Sequence, residues 1–319
     1  MLNKLKENLI GIEILENEPM AKHTTFKVGG PAQYYCEINN KKDLHQVLLA
    51  VKKLDMPFFI FGGGSNILIS DKGIEGLVIK LTEGEIEFFG KQIKVFTGNN
   101  LRKMIITAIN SGLAGLEFAA NIPGTVGGGV RGNAGAFGKG LGDYIKEVEA
   151  LNMSGNEVSL EIFQKDECGF DYRHSMFKKR PELIIAEVTF ELAESKDNIK
   201  ARLKQIQDEL EERMKKQPYE CPSAGCTFKN IVFKPEYKEL EAWQTYGKVP
   251  AAKLIEEAGL KGKSIGGAEV SDKHSNFIYN KNKATAKDII DLIELVKKQV
   301  KDKFGVDLEE EVQKVGFNN

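Results

Sequence analysis

Between residues 112 and 138 the chain reads GLAGLEFAANIPGTVGGGVRGNAGAFG, in which Glu117 and Arg131 are the only charged residues. Glycine gives up more backbone entropy on folding than any other residue, and an ordinary surface loop carries polar side chains that keep it solvated. A stretch this long, glycine-rich and poor in charge reads as backbone packed against a bound cofactor, and neither a helix nor a strand accounts for it. A second cluster, GGGSNILISD at 62–71, follows the apolar run FFIF, which is predicted to form a short buried strand after Pro57. Its three glycines permit tight turns and leave N–H groups free to face a ligand.

Two familiar nucleotide loops do not explain these glycines. GGGVRG at 127–132 fits G-x-G-x-x-G literally, but that fingerprint follows a strand and opens a helix. Pro123 before it and GNAGAFG after it predict neither. Gly262, Lys263 and Ser264 imitate the end of a Walker A loop, yet Glu257 stands where its first glycine belongs, and a helix leads in.

Composition excludes several classes. The 319 residues carry 45 Lys+Arg against 46 Asp+Glu, so no basic excess is present to hold a nucleic acid. This length accommodates two or three domains. The N-terminal MLNKLKENLIGIEILENEP lacks the apolar core of a signal peptide, and no apolar run reaches the roughly 18 residues of a bilayer span. The expected location is the cytoplasm, without membrane attachment and with Cys36, Cys168, Cys221 and Cys226 as free thiols. The four histidines (23, 45, 174 and 274) do not join the cysteines at ligand spacing, so no metal is expected.

Periodicity supplies the organisation. Residues 40–112 read as two strand-and-helix units. In the first, Asn40 with Asp43 caps a helix whose Leu44, Val47, Leu48 and Val51 share a face. In the second, a helix from Leu101 through Met104, Ile105 and Ala108 stops at Gly112. A β-rich stretch (145–192) ends in ELIIAEVTFEL. A charged helix follows, with one apolar stripe of Ile199, Leu203, Ile206, Leu210 and Met214. Helices at 250–258, closed by Gly259, and at 285–300, opened by Thr285 with Asp288, belong to an α+β C-terminal domain.

Seven segments in this order resemble the UDP-N-acetylenolpyruvoylglucosamine reductase (MurB) family: HTTFKVGGPA (23–32), GGGSNILISD (62–71), NIPGTVGGGVRGNAGAFG (121–138), DYRHSMFK (171–178), SAGCTFKN (223–230), LIEEAGLKGKSIGGAEVSDKHSNFIYN (254–280) and LEEEV (308–312). The resemblance implies an α+β protein with the FAD-binding fold of the p-cresol methylhydroxylase type. Its FAD subdomains would be residues 1–80 and 81–204, followed by a substrate-binding domain at 205–302 and a C-terminal segment at 303–319. It also implies non-covalent FAD, NADPH as co-substrate, small-molecule partners only, and reduction of an enolpyruvyl UDP-sugar to UDP-N-acetylmuramate in peptidoglycan precursor synthesis.

Site residues carry over position by position. Arg173 corresponds to the group beside the substrate carboxylate, where a guanidinium stabilises the charge that develops on reduction. Cys226 stands where the family has a serine that protonates the α-carbon. A thiol, with a reference pKa of about 8.5, is an adequate donor so long as it keeps its proton. The alternation of Leu308, Glu310 and Val312 against Glu309 and Glu311 does not choose among the three glutamates. The family pattern, in which the functional glutamate directly precedes a valine, selects Glu311. For FAD the resemblance points to Gly62, Gly63, Gly64, Ser65, Asn66, Pro123, Gly124, Thr125, Gly128, Asn133, Ala134 and Gly135, chiefly through backbone N–H groups toward the pyrophosphate. For the sugar nucleotide it points to Lys216, Asn230 and His274, and Tyr172 joins them as the neighbour of Arg173. Ile231 replaces a common proline, and residues 231–249 match no family feature. Two other readings stay open: a related FAD oxidoreductase acting on another small molecule, and a non-catalytic nucleotide-sugar binding protein.

Overall fold

Asn40 caps the first long helix as predicted: its side-chain oxygen accepts the Asp43 N–H at 2.8 Å, and Lys41–Lys53 buries Leu44, Val47, Leu48 and Val51. These side chains form a core with Leu5, Leu9, Cys36, Leu77 and Ile79. In the computed structural model, which describes residues 1–245 and 247–317, contacts divide the chain into two units. One comprises Met1–Glu18, Gln33–Gly63 and Glu75–Leu210; the other comprises Pro19–Ala32, Gly64–Ile74 and Glu211–Asn319.

The first unit holds a sheet ordered Leu15–Pro19, Pro31–Ile38, Ile74–Leu81 and Phe58–Phe61, the last pair parallel. FFIF is the strand expected, but it lies at the sheet edge, so Phe61 alone is buried while Phe58, Phe59 and Ile60 are half-buried. A second sheet is antiparallel throughout: Ser159–Gln164, Ile145–Asn152, Leu183–Glu191, Gln92–Phe96 and Ile86–Phe89. Its last two strands form a hairpin that the two-unit reading of 40–112 left out. The helix Leu101–Asn110, capped by Asn100, packs Met104 and Ile105 with Val148, Val188 and Phe190 of this sheet.

Two expectations need correction here. GGGVRG does enter a helix, Val126–Arg131, capped by Thr125 and buried through Val126, Gly127 and Val130. Packing stabilises this short helix against the poor propensity of its glycines. In the helix Ile199–Lys216 the apolar stripe is shorter than its period: Ile206 is buried, Ile199 and Leu203 lean on the core, and Met214 is exposed. The other buried residue is Arg202.

The second unit is built on a sheet ordered Ser223–Cys226, Phe277–Asn280, Ala268–Val270 and Ser264–Ile265. The helices Ala251–Glu257 and Ala286–Phe304 share its core through Leu254, Ile289, Ile293 and Val296. The predicted capping box of Thr285 and Asp288 opens the second helix, which runs to Phe304 and ends at Gly305 in the left-handed region. Within 231–249, Ile231–Val232 pairs with Lys248–Val249, and Pro235–Trp243 forms two 3-10 turns divided at Tyr237; Trp243 meets Phe304 edge-on at 5.8 Å. Among the described residues no helix is long and apolar enough to cross a membrane.

Candidate active site

In the first unit the two glycine-rich stretches meet. A β-carbon on Gly63 would lie 3.1 Å from the Gly124 Cα, and one on Gly62 would collide with the Thr125 side chain. Gly127 has no room beside Thr97, and Gly129 would meet Leu141 at 2.8 Å. Close packing of the chain against itself therefore accounts for much of the glycine first read as ligand-facing. Gly128 differs. It is exposed, and the nearest neighbour of an added β-carbon would be Thr125 Oγ1 at 3.5 Å, an ordinary contact. Alanine suits a helix better by about 1 kcal/mol, so glycine at 128 fits a group laid against the backbone from outside.

The expectation that amides at these positions face a pyrophosphate fails at three of them. The Asn133 N–H donates to the Val130 carbonyl at 3.0 Å, the Ala134 N–H donates to Gly129 at 2.7 Å, and Pro123 has no N–H. The Gly128 N–H makes only a long bond, 3.4 Å, to Thr125 Oγ1.

Arg173 sits on a tight turn in which Asp171 and His174 exchange backbone hydrogen bonds and the Tyr172 N–H donates to Asp171 Oδ1 at 2.6 Å. Its φ of 53° is left-handed, which costs an arginine energy that the surroundings must offset. Three bonds fasten the turn to the glycine-rich segment. Asn133 Nδ2 donates to the Asp171 carbonyl at 2.9 Å, Ser175 Oγ donates to Arg131 at 2.7 Å, and Arg173 Nη1 donates to Gly135 at 3.4 Å. The guanidinium lies 5.8 Å from the Tyr172 ring centroid. Arg173, Tyr172, Asn133 and Gly135 are thus one cluster, although 38 residues of sequence separate Gly135 from Arg173.

In the second unit, Cys226 ends the strand Ser223–Cys226, half-buried and in register with Phe277. The next residues leave that sheet and pair with the C-terminal segment: the Glu311 N–H donates to the Thr227 carbonyl at 2.8 Å and the Lys229 N–H donates to Glu309 at 2.9 Å. Cys226 and Glu311 are therefore joined through one intervening residue. The structure also separates the three glutamates. Glu310 turns inward with Leu308 and Val312, its carboxylate held by Lys297 at 3.0 Å and Lys314 at 2.9 Å, while Glu309 pairs with Lys229. Burial alone would raise the Glu310 pKa, but the two ammonium groups outweigh it and hold the carboxyl below its ordinary range.

The remaining candidates differ in what occupies them. Asn66 serves the terminal segment as well, donating Nδ2 to the Glu311 carbonyl at 3.0 Å and accepting the Gln313 N–H at 3.0 Å through its own carbonyl. Gly64 has φ +63° and its carbonyl accepts the Thr25 N–H at 3.1 Å; Ser65 is half-buried beside it. Asn230 Oδ1 accepts the Ala251 N–H at 3.2 Å, a structural tie at the start of Ala251–Glu257 that the sequence did not suggest. Lys216 is exposed in the last turn of its helix. His274 meets the Phe277 ring edge-on at 4.9 Å, and its buried Nδ1 has no hydrogen-bond partner among the described residues. Burial, helped by Arg213 and Lys261, pushes the imidazole pKa below its ordinary value and keeps the ring neutral.

Residues 32–161 match an FAD binding domain, and residues 217–315 match the C-terminal domain of UDP-N-acetylenolpyruvoylglucosamine reductase. The Clostridium botulinum (strain Okra / Type B1) UDP-N-acetylenolpyruvoylglucosamine reductase is 42% identical over 98% of this chain and 96% of its own length. That of Bacillus velezensis is 38% identical over 100% and 99%. The crystal structure of the Thermus caldophilus enzyme (MurB) superposes with a TM-score of 0.73 at 30% identity, covering 95% of this chain and 98% of that one. The α+β FAD-binding architecture expected from the resemblance is the one found. With full-length relatives at this identity and both domain signatures present, the chain belongs to the UDP-N-acetylenolpyruvoylglucosamine reductase family of FAD-dependent oxidoreductases.

Proposed function

We propose that this protein uses NADPH to reduce the enolpyruvyl ether of UDP-N-acetylglucosamine-enolpyruvate to UDP-N-acetylmuramate in the cytoplasm, as a step of peptidoglycan precursor synthesis, with small molecules as its only obligatory partners. The observation that carries the reading is the joining of the Cys226 strand to the Glu311 segment through the Thr227 carbonyl. It brings the backbone at Cys226 and at Glu311 together from positions 85 apart in the chain. The FAD subdomains are proposed at 1–80 and 81–204, the substrate-binding domain at 205–302, and the Glu311 segment at 303–319, of which residues 318 and 319 lie outside the described residues.

FAD, when bound, would supply the hydride equivalent for the reduction of the enol ether. Reduction pushes negative charge onto the α-carbon and its carboxylate, where the Arg173 guanidinium stabilises it. The Cys226 S–H transfers its proton to the α-carbon, and solvent then reprotonates the thiolate; Glu311 completes the catalytic set. Tyr172, Lys216, Asn230 and His274 serve the sugar nucleotide, with Lys216 as a point charge for the diphosphate. His274 offers its Nδ1, which has no hydrogen-bond partner among the described residues. Gly62 to Asn66, together with Pro123, Gly124, Thr125, Gly128, Asn133, Ala134 and Gly135, line the cofactor. Asn133 and Ala134 contribute there through atoms other than their amide N–H.

Gly128 allows a direct check of the cofactor reading. Gly128→Ala is expected to raise the melting temperature of the FAD-free protein by a few degrees, because alanine stabilises the helix by about 1 kcal/mol. FAD affinity should fall at the same time by an order of magnitude or more. A variant that binds FAD as the parent does would remove Gly128 from the cofactor surface.

An anaerobic absorbance titration tests the whole function. NADPH should bleach the flavin bands, and the enolpyruvyl UDP-sugar should restore them. Bleaching without recovery would leave a flavin reductase for a different substrate, and FAD that acid precipitation fails to release would point to a covalent flavin oxidase relative.

A further inference from the structure

The strand that carries Cys226 and the segment that carries Glu311 meet at the dipeptide Thr227–Phe228, and both residues are fully buried. Beyond Cys226 the ladder to Phe277–Asn280 breaks, and residues 227–229 turn to pair with 309–311. In that pairing Phe228 stands opposite Glu310 as the residue that exchanges no bonds. Thr227 and Lys229 make the bonds to Glu311 and Glu309 on either side of it. The Phe228 N–H and C=O therefore face the other way, into the protein, where no strand offers a partner. Asn276 supplies one: its Oδ1 accepts the Phe228 N–H at 3.0 Å and its Nδ2 donates to the Phe228 carbonyl at 2.9 Å. Its main-chain carbonyl accepts the Thr227 N–H at 2.7 Å, and Thr227 Oγ1 accepts the Ile278 N–H at 3.3 Å. Asn276 is 2% exposed. A carboxamide alone among small side chains presents a donor and an acceptor in one plane, as a peptide does.

The geometry points to Asn276 as the positioning residue that sets Cys226 and Glu311 against each other for proton transfer. It holds Phe228 by both backbone groups, and the next carbonyl back, that of Thr227, holds the Glu311 amide. A shift of the 227–228 dipeptide moves the thiol and the carboxylate relative to one another, and displacements of about 1 Å cost catalysis about 10²-fold. The inference rests on the proposed roles of Cys226 and Glu311, and the experiment separates the two.

Asn276→Asp and Asn276→Leu, prepared as FAD-loaded full-length protein, are followed through each half-reaction by stopped flow. Reduction of the flavin by NADPH and the FAD content should stay within about twofold of the parent, whereas reoxidation by the enolpyruvyl UDP-sugar slows by about tenfold to 10²-fold. Asn276→Ser, which keeps one donor and acceptor, should fall between them and the parent, and it serves as the test if the other two do not fold. In a Cys226→Ala background the same substitutions should add less than about twofold, because groups that act as a unit are not additive. Parent-like reoxidation in Asn276→Asp overturns the inference. So does a joint fall of both half-reactions with loss of FAD, which would mark a residue needed only for folding. If Cys226→Ala by itself reoxidises at the parent rate, the donor assignment fails, and the coupling to Glu311→Gln then decides the role of Asn276 alone.

Discussion

Cys226→Ala is expected to reoxidise its flavin with the enolpyruvyl UDP-sugar about 10²- to 10⁴-fold more slowly than the parent, the usual contribution of a positioned proton donor. Its reduction by NADPH should be unchanged, so the protein bleaches and stays bleached. Cys226→Ser, which keeps an O–H donor, should retain turnover. The four cysteines also separate under alkylation. Cys36 and Cys168 are buried, and burial pushes each thiol up to about 12, so neither reacts readily at neutral pH. Cys221 and Cys226 are half-buried, and burial raises the Cys221 thiol as well. Iodoacetamide should abolish turnover in the parent and spare it in Cys226→Ser. Parent-like reoxidation by Cys226→Ala would remove the thiol from the mechanism. An inactive parent that still binds the sugar nucleotide would leave a binding protein.

Glu117→Ala should be the most destabilising single change in the glycine-rich segment, at about 3–5 kcal/mol. Glu117 receives the Arg202 guanidinium and, through Oε2, the Gly115 N–H at 2.7 Å; Arg202 also donates to the Leu113 carbonyl at 2.6 Å. The Arg202 side chain is only 9% exposed, and its Nη1 is already without a partner among the described residues. Removing the carboxylate strands a buried cation, which should lower the melting temperature by roughly 5–15 °C. Replacing both partners together, Glu117→Leu with Arg202→Met, should recover much of the loss, since an apolar pair has no charge to leave unmet. A Glu117→Ala protein that melts within about 2 °C of the parent would show that the pair contributes little. The pH dependence follows from the same contacts. Burial opposes ionisation, but Arg202 and the Gly115 amide outweigh it and hold the Glu117 pKa below its ordinary value. The folded state therefore binds this proton less readily than the unfolded chain. The stabilisation is complete above the ordinary carboxylate pKa and disappears as pH falls through the lowered one. The difference in melting temperature between parent and Glu117→Ala should accordingly shrink on acidification and hold steady above neutrality.

How far the sequence could be read depended on whether a contact was local. The caps at Asn40 and Thr285, and the glycines past the helices at 112 and 259, are bonds between near neighbours or backbone angles that single residues prefer. Those signals lie wholly within a few consecutive positions, and the structure has them where the pattern put them. The helix Val126–Arg131 was missed because its stabilisation comes from Thr97, Leu141 and the surrounding core, and propensity points the other way. The apolar stripe of Ile199–Lys216 misled for the converse reason: its period is helical throughout, but only part of it has a core to meet.

The site divides along the same line. The glycine clusters, the arginine in its turn and the run of three glutamates are visible as residue types in order, and that order sufficed to recognise the family. How the neighbouring lysines divide among these glutamates was not legible. Lys297 and Lys314 claim Glu310 and Lys229 claims Glu309, and these partners lie as far as 80 residues away. Asn276 gave no signal at all, because a buried asparagine in a loop looks like any other until the backbone it satisfies is placed beside it. Amino-acid order determined the elements, their caps and the chemical inventory through short-range forces. Tertiary structure decided which polar groups pair inside it, since that choice is made by residues distant in sequence competing for the same buried donors and acceptors.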